Sequence, residues 1–176
     1  MIFGDKNSFA IESAIYFQHE AFIRGQFGMW AHGEAIGNFE DSVALQGCAN
    51  WLQDFLVYSG QRLYEDCENV SDDVIMSTIL EHIDNYEIED SHIWRDKYIL
   101  TDAGMSSFNN LEVILIECSD GSERLIWAEL GRNEAKSISL RAGEFEIAAN
   151  EFLQWIYNTE EWHEYREYIN RLKTAE

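Results

Sequence analysis

Residues 110–130 read Asn110-Leu111-Glu112-Val113-Ile114-Leu115-Ile116-Glu117-Cys118, then Ser119-Asp120-Gly121-Ser122, then Glu123-Arg124-Leu125-Ile126-Trp127-Ala128-Glu129-Leu130. Two short arms rich in β-branched and aromatic residues flank an Asp-Gly pair. Gly takes positive φ without steric cost, so this pattern predicts a β-hairpin. Val113 to Ile116 is apolar at every position, which predicts a strand covered on both faces, with helices against at least one of them. A buried helix can carry the same run, but the turn residues beside it favour strand. We read this as the central hairpin of a mainly antiparallel sheet packed against about four helices, an α+β fold in a single domain over residues 1–176.

Outward from the hairpin, Phe9 to Phe17 places Phe9, Ile11, Ile15 and Phe17 on one face at period two, and Phe27 to Gly33 reads as its partner, joined through His19, Glu20 and Arg24-Gly25. Glycines 25, 28, 33 and 37 match no phosphate-binding pattern and read as bulges and turns. Ser42 predicts an N-cap, followed by a helical stripe of Leu45, Cys48, Ala49, Leu52, Phe55 and Leu56 and a stop at Gly60. Ser71 predicts a second cap, with Asp72 and Asp73 in the first turn and Ile75, Ile79 and Ile83 on the buried face. Residues 86–110 are the least regular; Tyr98-Ile99-Leu100 reads as a short strand and Ala103 to Ser107 as a loop, with a helix from Ile88 to Trp94 as the alternative for part of this stretch. Lys136 to Arg141 alternates as a last strand. Phe145 to Tyr157 and a segment capped by Thr159 read as helices, the latter burying Trp162, Tyr165, Ile169 and Leu172.

With 33 acidic residues against 12 Lys and Arg, the net charge is −21. Phosphate recognition needs the opposite sign, so this charge argues against nucleic-acid binding and against docking on anionic lipid. It suits a basic partner, or only an acidic, well-solvated surface. No signal-peptide pattern opens the chain and no apolar run is long enough to span a bilayer, so the expected setting is the cytoplasm. Cys48, Cys67 and Cys118, odd in number and without a CxxC pair, read as reduced, buried small hydrophobes.

No catalytic, cofactor or metal signature stands out. The five histidines lack HExxH spacing and neighbour no cysteine, no GxSxG is present, and Asp72-Asp73 lacks the EF-hand pattern. Acidic stretches remain, interleaved with Trp and Tyr, a composition that also marks protein-binding faces. The candidate partner-binding acids are Glu65, Asp66, Glu68, Asp72, Asp73, Glu87, Glu89 and Asp90, with Glu160, Glu164 and Glu167 as a second choice. For any single one of them, a solvated surface carboxylate is the plainer reading.

The opening Met1-Ile2-Phe3-Gly4-Asp5-Lys6-Asn7-Ser8-Phe9-Ala10-Ile11-Glu12 resembles the start of immunity protein 42, a bacterial family that neutralises polymorphic or contact-dependent growth inhibition toxins. Phe27-Gly28-Met29-Trp30-Ala31-His32-Gly33-Glu34-Ala35-Ile36-Gly37 is similar to that family's second strand and turn. The resemblance covers the first quarter of the chain and transfers no toxin-contact residue. It implies a cytoplasmic inhibitor that binds a toxin's C-terminal domain. Many such toxins are nucleases with basic clefts, which carboxylates fit, and an RNase is the expected target ahead of a DNase. The alternatives are a small hydrolase using His92 or His163, and an acidic adaptor for another basic protein.

Overall fold

The computed structural model describes residues 1–19, 22–85, 87, 89–101, 105–131 and 134–174. Glu20 of the expected first link, Ile88 at the start of the alternative helix, and Ala103 and Gly104 of the expected loop lie outside the described residues.

Among the described residues two antiparallel sheets form, not one. The first contains β1 (Ile2–Gly4), β2 (Phe9–His19), β3 (Phe22–Ala31) and β4 (Glu34–Ile36) in that order, with β5 (Val43–Ala44) also paired to β3. The second contains β6 (Leu111–Glu117), β7 (Glu123–Glu129) and β8 (Lys136–Leu140). The hairpin expected at the centre is therefore β6–β7 of the smaller sheet, and the longest pairing is β2–β3. Arg24 and Gly25, expected in the link between those strands, lie inside β3, and pairing extends to His19 opposite Phe22.

The Asp-Gly turn closes β6 onto β7 as its chemistry dictates. Gly121 takes φ +84°, and the Asp120 carboxylate accepts the Ser122 backbone N–H at 2.8 Å. At the β3–β4 turn His32 (φ +48°) and Gly33 (φ +80°) both lie in the left-handed region, the two-residue geometry whose twist matches the flanking strands.

Double cover of β6 is the organising feature. Val113 and Leu115, with Leu125, Trp127, Ile138 and Leu140 of the neighbouring strands, enter the main core against Phe9, Ile11, Phe27 and Met29 of the first sheet. Helices α1 (Leu45–Leu56) and α4 (Glu144–Tyr157) complete that core through Leu52, Phe55, Phe145 and Phe152. Ile114, Ile116 and Ile126 point the other way, onto Ile75, Met76 and Ile79 of α2 (Asp72–Asp84) and Tyr98 of α3 (Ser91–Tyr98). Alternate residues of one strand thus serve two separate apolar layers.

Several local expectations are corrected. Ser42 is not the cap of α1; Val43 and Ala44 are drawn into β5, opposite Gly25 and Arg24, and Ala44 caps the helix. Tyr98 ends helix α3, and only Ile99 bridges to Ile114. A short 3₁₀ turn, Ser106–Phe108, stands where a loop was expected. Helix α5 (Glu160–Lys173) starts at Thr159, whose Oγ1 accepts the Trp162 N–H at 3.2 Å. Of its expected core residues only Trp162 is buried, and Leu172 is exposed. All three cysteines are buried. Cys67 and Cys118, however, form a disulfide rather than staying reduced, bridging 51 residues of sequence. The turn before α2 and the end of β6 are brought together there, with Cα atoms 5.9 Å apart. Among the described residues, no helix is long and apolar enough to cross a membrane.

Candidate functional site

The eight candidate acids separate into two groups at opposite ends of α2. Glu65, Asp66, Glu68, Asp72 and Asp73 precede or open the helix, whereas Glu87, Glu89 and Asp90 follow it. A helix of 13 residues is about 20 Å long, so the groups form two patches rather than one. Four of the acids already have partners within the fold. Asp72 holds Arg124 of β7 at 3.2 Å and the Ser137 hydroxyl of β8 at 2.6 Å. Asp73 accepts the Ala135 N–H at 2.7 Å, so these two carboxylates pin the start of α2 to the second sheet. Glu68 accepts the Ser119 hydroxyl at 3.3 Å. Asp90 meets His82 Nε2 at 2.9 Å, and that hydrogen bond holds its carboxyl below the usual range. The His82 ring is itself stacked on Trp94 at 3.8 Å. Glu65, Asp66, Glu87 and Glu89 are exposed and are the members of the set most available to a partner. Glu160, Glu164 and Glu167 are exposed along α5. His92 and His163 are exposed on separate helices, α3 and α5.

An open cleft of about 1120 Å³ lies elsewhere, between the edge strand β4 and the ends of β6 and β7. Among the described residues its wall carries five carboxylates, Glu34, Asp41, Asp73, Glu129 and Glu134, against one ammonium, Lys136. Lys136 forms an ion pair with Glu34 across the two sheets. Trp127 contributes to the wall, and Leu130 is an exposed apolar residue there. Ser107 also lines the cleft; its backbone carbonyl accepts the Asn38 N–H at 2.7 Å. Its hydroxyl is buried and has no hydrogen-bond partner among the described residues. Only Asp73 of the eight candidate acids reaches this cleft. The other cleft carboxylates, Glu34, Asp41, Glu129 and Glu134, come from β4, the Asn38–Asp41 turn, the end of β7 and the stretch just ahead of β8, which are distant in sequence. No local spacing could announce such a set.

A second constellation that local spacing does not reveal is buried. Arg62 is fully inaccessible. Its Nε–H donates to the Lys97 carbonyl at 2.9 Å, its NH2 donates to the Phe55 carbonyl, and its guanidinium lies 3.9 Å over the Phe55 ring. Glu117 and Glu146 each stand 3.6 Å from NH1, close enough for charge attraction but beyond a good hydrogen bond. Burial lowers the Arg62 pKa, and Glu146, Glu117 and Glu123 oppose that shift. Glu117 also accepts the Gly60 N–H at 2.7 Å and the Arg62 N–H at 3.2 Å. Glu123, at the start of β7, is pushed up to about 8 by burial and by its contact with Glu146. At neutral pH its carboxyl therefore keeps its proton, and a proton between Glu123 and Glu146 satisfies buried oxygens that otherwise lack partners. The cluster joins the turn after α1 to β6, β7 and α4. Arg62 at its centre is enclosed while Glu117 and Glu146 keep some access to solvent, and the contacts of the cluster hold those elements together. Among the described residues no group of three His, Cys, Asp or Glu side chains is placed to hold a metal ion.

With this geometry established, three comparisons bear on kinship. No curated protein matches the chain significantly. The crystal structure of CdiI from Burkholderia dolosa AUO158 is similar in fold, with a TM-score of 0.71 at 16% sequence identity, covering 88% of this chain and 99% of that one. The family model of immunity protein 42 matches residues 1–155, from β1 to within α4. By that match, which takes in both sheets, the cleft wall and the buried arginine cluster, the chain belongs to the immunity protein 42 family.

Proposed function

We propose that this chain binds and neutralises the C-terminal domain of a cognate toxin, and that the toxin is a basic nuclease, an RNase rather than a DNase, met in the cytoplasm of the producing cell. The observation that carries this reading is membership of an immunity family over residues 1–155. The net charge of −21 supports a basic partner. A nuclease cleft is electropositive because it must hold phosphate, and carboxylates can stand where phosphates would. Glu65 and Asp66 before α2, and Glu87 and Glu89 after it, are exposed and are the acids proposed to steer such a partner, with Glu68, Asp72, Asp73 and Asp90 holding the neighbouring turns and helix ends in place. Long-range attraction of this kind raises association rates toward about 10⁸–10⁹ M⁻¹s⁻¹ at low salt.

The test is co-expression with the toxin domain encoded beside this gene. Survival of the cells, with a complex on a sizing column whose affinity falls steeply with salt, is the expected result. Cell death with no complex sinks the reading. Salt-insensitive binding would keep the immunity role and move the binding energy to aromatic anchors. Turnover of a small substrate, lost on His163→Ala, would instead make the chain a hydrolase.

A further inference from the structure

We propose that the cleft between β4 and the ends of β6 and β7 is the seat of an arginine side chain presented on an extended segment of the toxin; the inference rests on the immunity reading and locates its docking point. Among the described residues the charge at this place is one-sided, with five carboxylates and a single ammonium. An acidic wall alone is common on so acidic a protein, but Ser107 adds a separate indication. Its hydroxyl is buried, only 4% of the residue is accessible, and no partner among the described residues satisfies it. A buried hydroxyl without a partner is costly in a finished fold and is relieved by an incoming polar group.

The donor count favours guanidinium over ammonium. Arginine brings five N–H donors in a planar fork and remains charged under all working conditions. The cleft offers acceptors on more than one side: the Ser107 hydroxyl, the Asp41 carboxylate beyond β4, and the Glu134 carboxylate ahead of β8. No partner is present for the Asp41 and Glu134 carboxylates among the described residues, unlike Glu34, which Lys136 already neutralises. Trp127 and the exposed Leu130 supply apolar surface for the methylene stem and for the backbone that carries it. The cleft is wide and open, which suits a protruding chain segment better than an enclosed small molecule. It also adjoins the α2 flank through Asp73, so one partner can meet both.

The probe is the capped peptide acetyl-Gly-Arg-Gly-amide, titrated into the isotopically labelled full chain by amide NMR, beside the same peptide with citrulline in place of arginine. Shifts concentrated at Ala35, Asn109 and Leu130, absent with citrulline, are expected. Lys136→Gln should tighten the peptide several-fold by removing the resident cation, whereas Ser107→Ala and the pair Asp41→Asn with Glu134→Gln should weaken it. Equal shifts along Glu65 to Glu89, or equal binding of the citrulline peptide, overturn the proposal. With the toxin domain itself, Asp41→Lys combined with Glu134→Lys should weaken the complex by roughly tenfold or more while the urea midpoint stays unchanged. Unaltered toxin affinity in that variant overturns the cleft as docking point and leaves the immunity reading intact. Arginine-specific peptide binding in the cleft, with no toxin neutralised, would reject the immunity reading while retaining the guanidinium seat.

Discussion

At the scale of single residues, Arg62 shows how an acidic chain uses one of its few cations. It sits at zero accessibility between Glu117 and Glu146, so removing it leaves carboxylates in a confined place without their counter-ion. Arg62→Met should cost about 3–5 kcal/mol, read as a lowered urea midpoint with little change in slope. Glu123 gives the complementary prediction. Its native carboxyl holds a proton up to about 8, against an ordinary value of 4.5. Between those two values the native state binds more protons than the unfolded chain, so stability declines as pH rises through that window and is greatest on its acid side. Glu123→Gln removes this decline, and urea midpoints at about pH 5 and about pH 8 should differ less in the variant than in the parent. The position was partly legible in the sequence: Glu123 shares its strand face with Leu125 and Trp127, so period two alone turns it inward. What the sequence withheld was the company, since Arg62, Glu117 and Glu146 come from three other segments.

At the scale of elements, the reading from local patterns succeeded where periodicity or turn chemistry is self-contained. The Asp-Gly hairpin, the stripe of α1, the Ser71 start of α2 and the Thr159 cap all form where expected. It failed where a distant partner decides. Ser42 loses its capping role because Val43 and Ala44 pair with β3. Toward the end of α5 Ile169 is only half-buried and Leu172 is exposed, so a helical stripe overstated burial there. Gly25 shows the same dependence on distant strands. It pairs with Ile15 on one side and Val43 on the other, next to an irregularity in β2. A Cβ there would lie 2.6 Å from Leu45 Cδ1 and would also strike the Ala14 carbonyl. Gly25→Ala should therefore destabilise by about 1–3 kcal/mol through overpacking, visible as a drop in melting temperature. Gly33→Ala at the open β3–β4 turn, where a Cβ meets nothing, should act only through its positive φ.

At the scale of the whole molecule, two sheets share one apolar layer, and a second layer lies under α2 and α3. This arrangement explains why the candidate acids were legible as a set but not as a surface. A run of carboxylates is visible in sequence, yet α2 separates its two halves, while the acidic cleft is built from strand ends and loops of both sheets. The link between Cys67 and Cys118 has a consequence for the integrity of the chain. It encloses α2 and α3, and α3 carries the exposed Arg95. A protease that nicks the backbone after that residue leaves the two fragments tethered through sulfur. On a denaturing gel without thiol the cut protein should migrate as one band, and adding a reductant should release two. Two bands without reductant would show that the tether is absent.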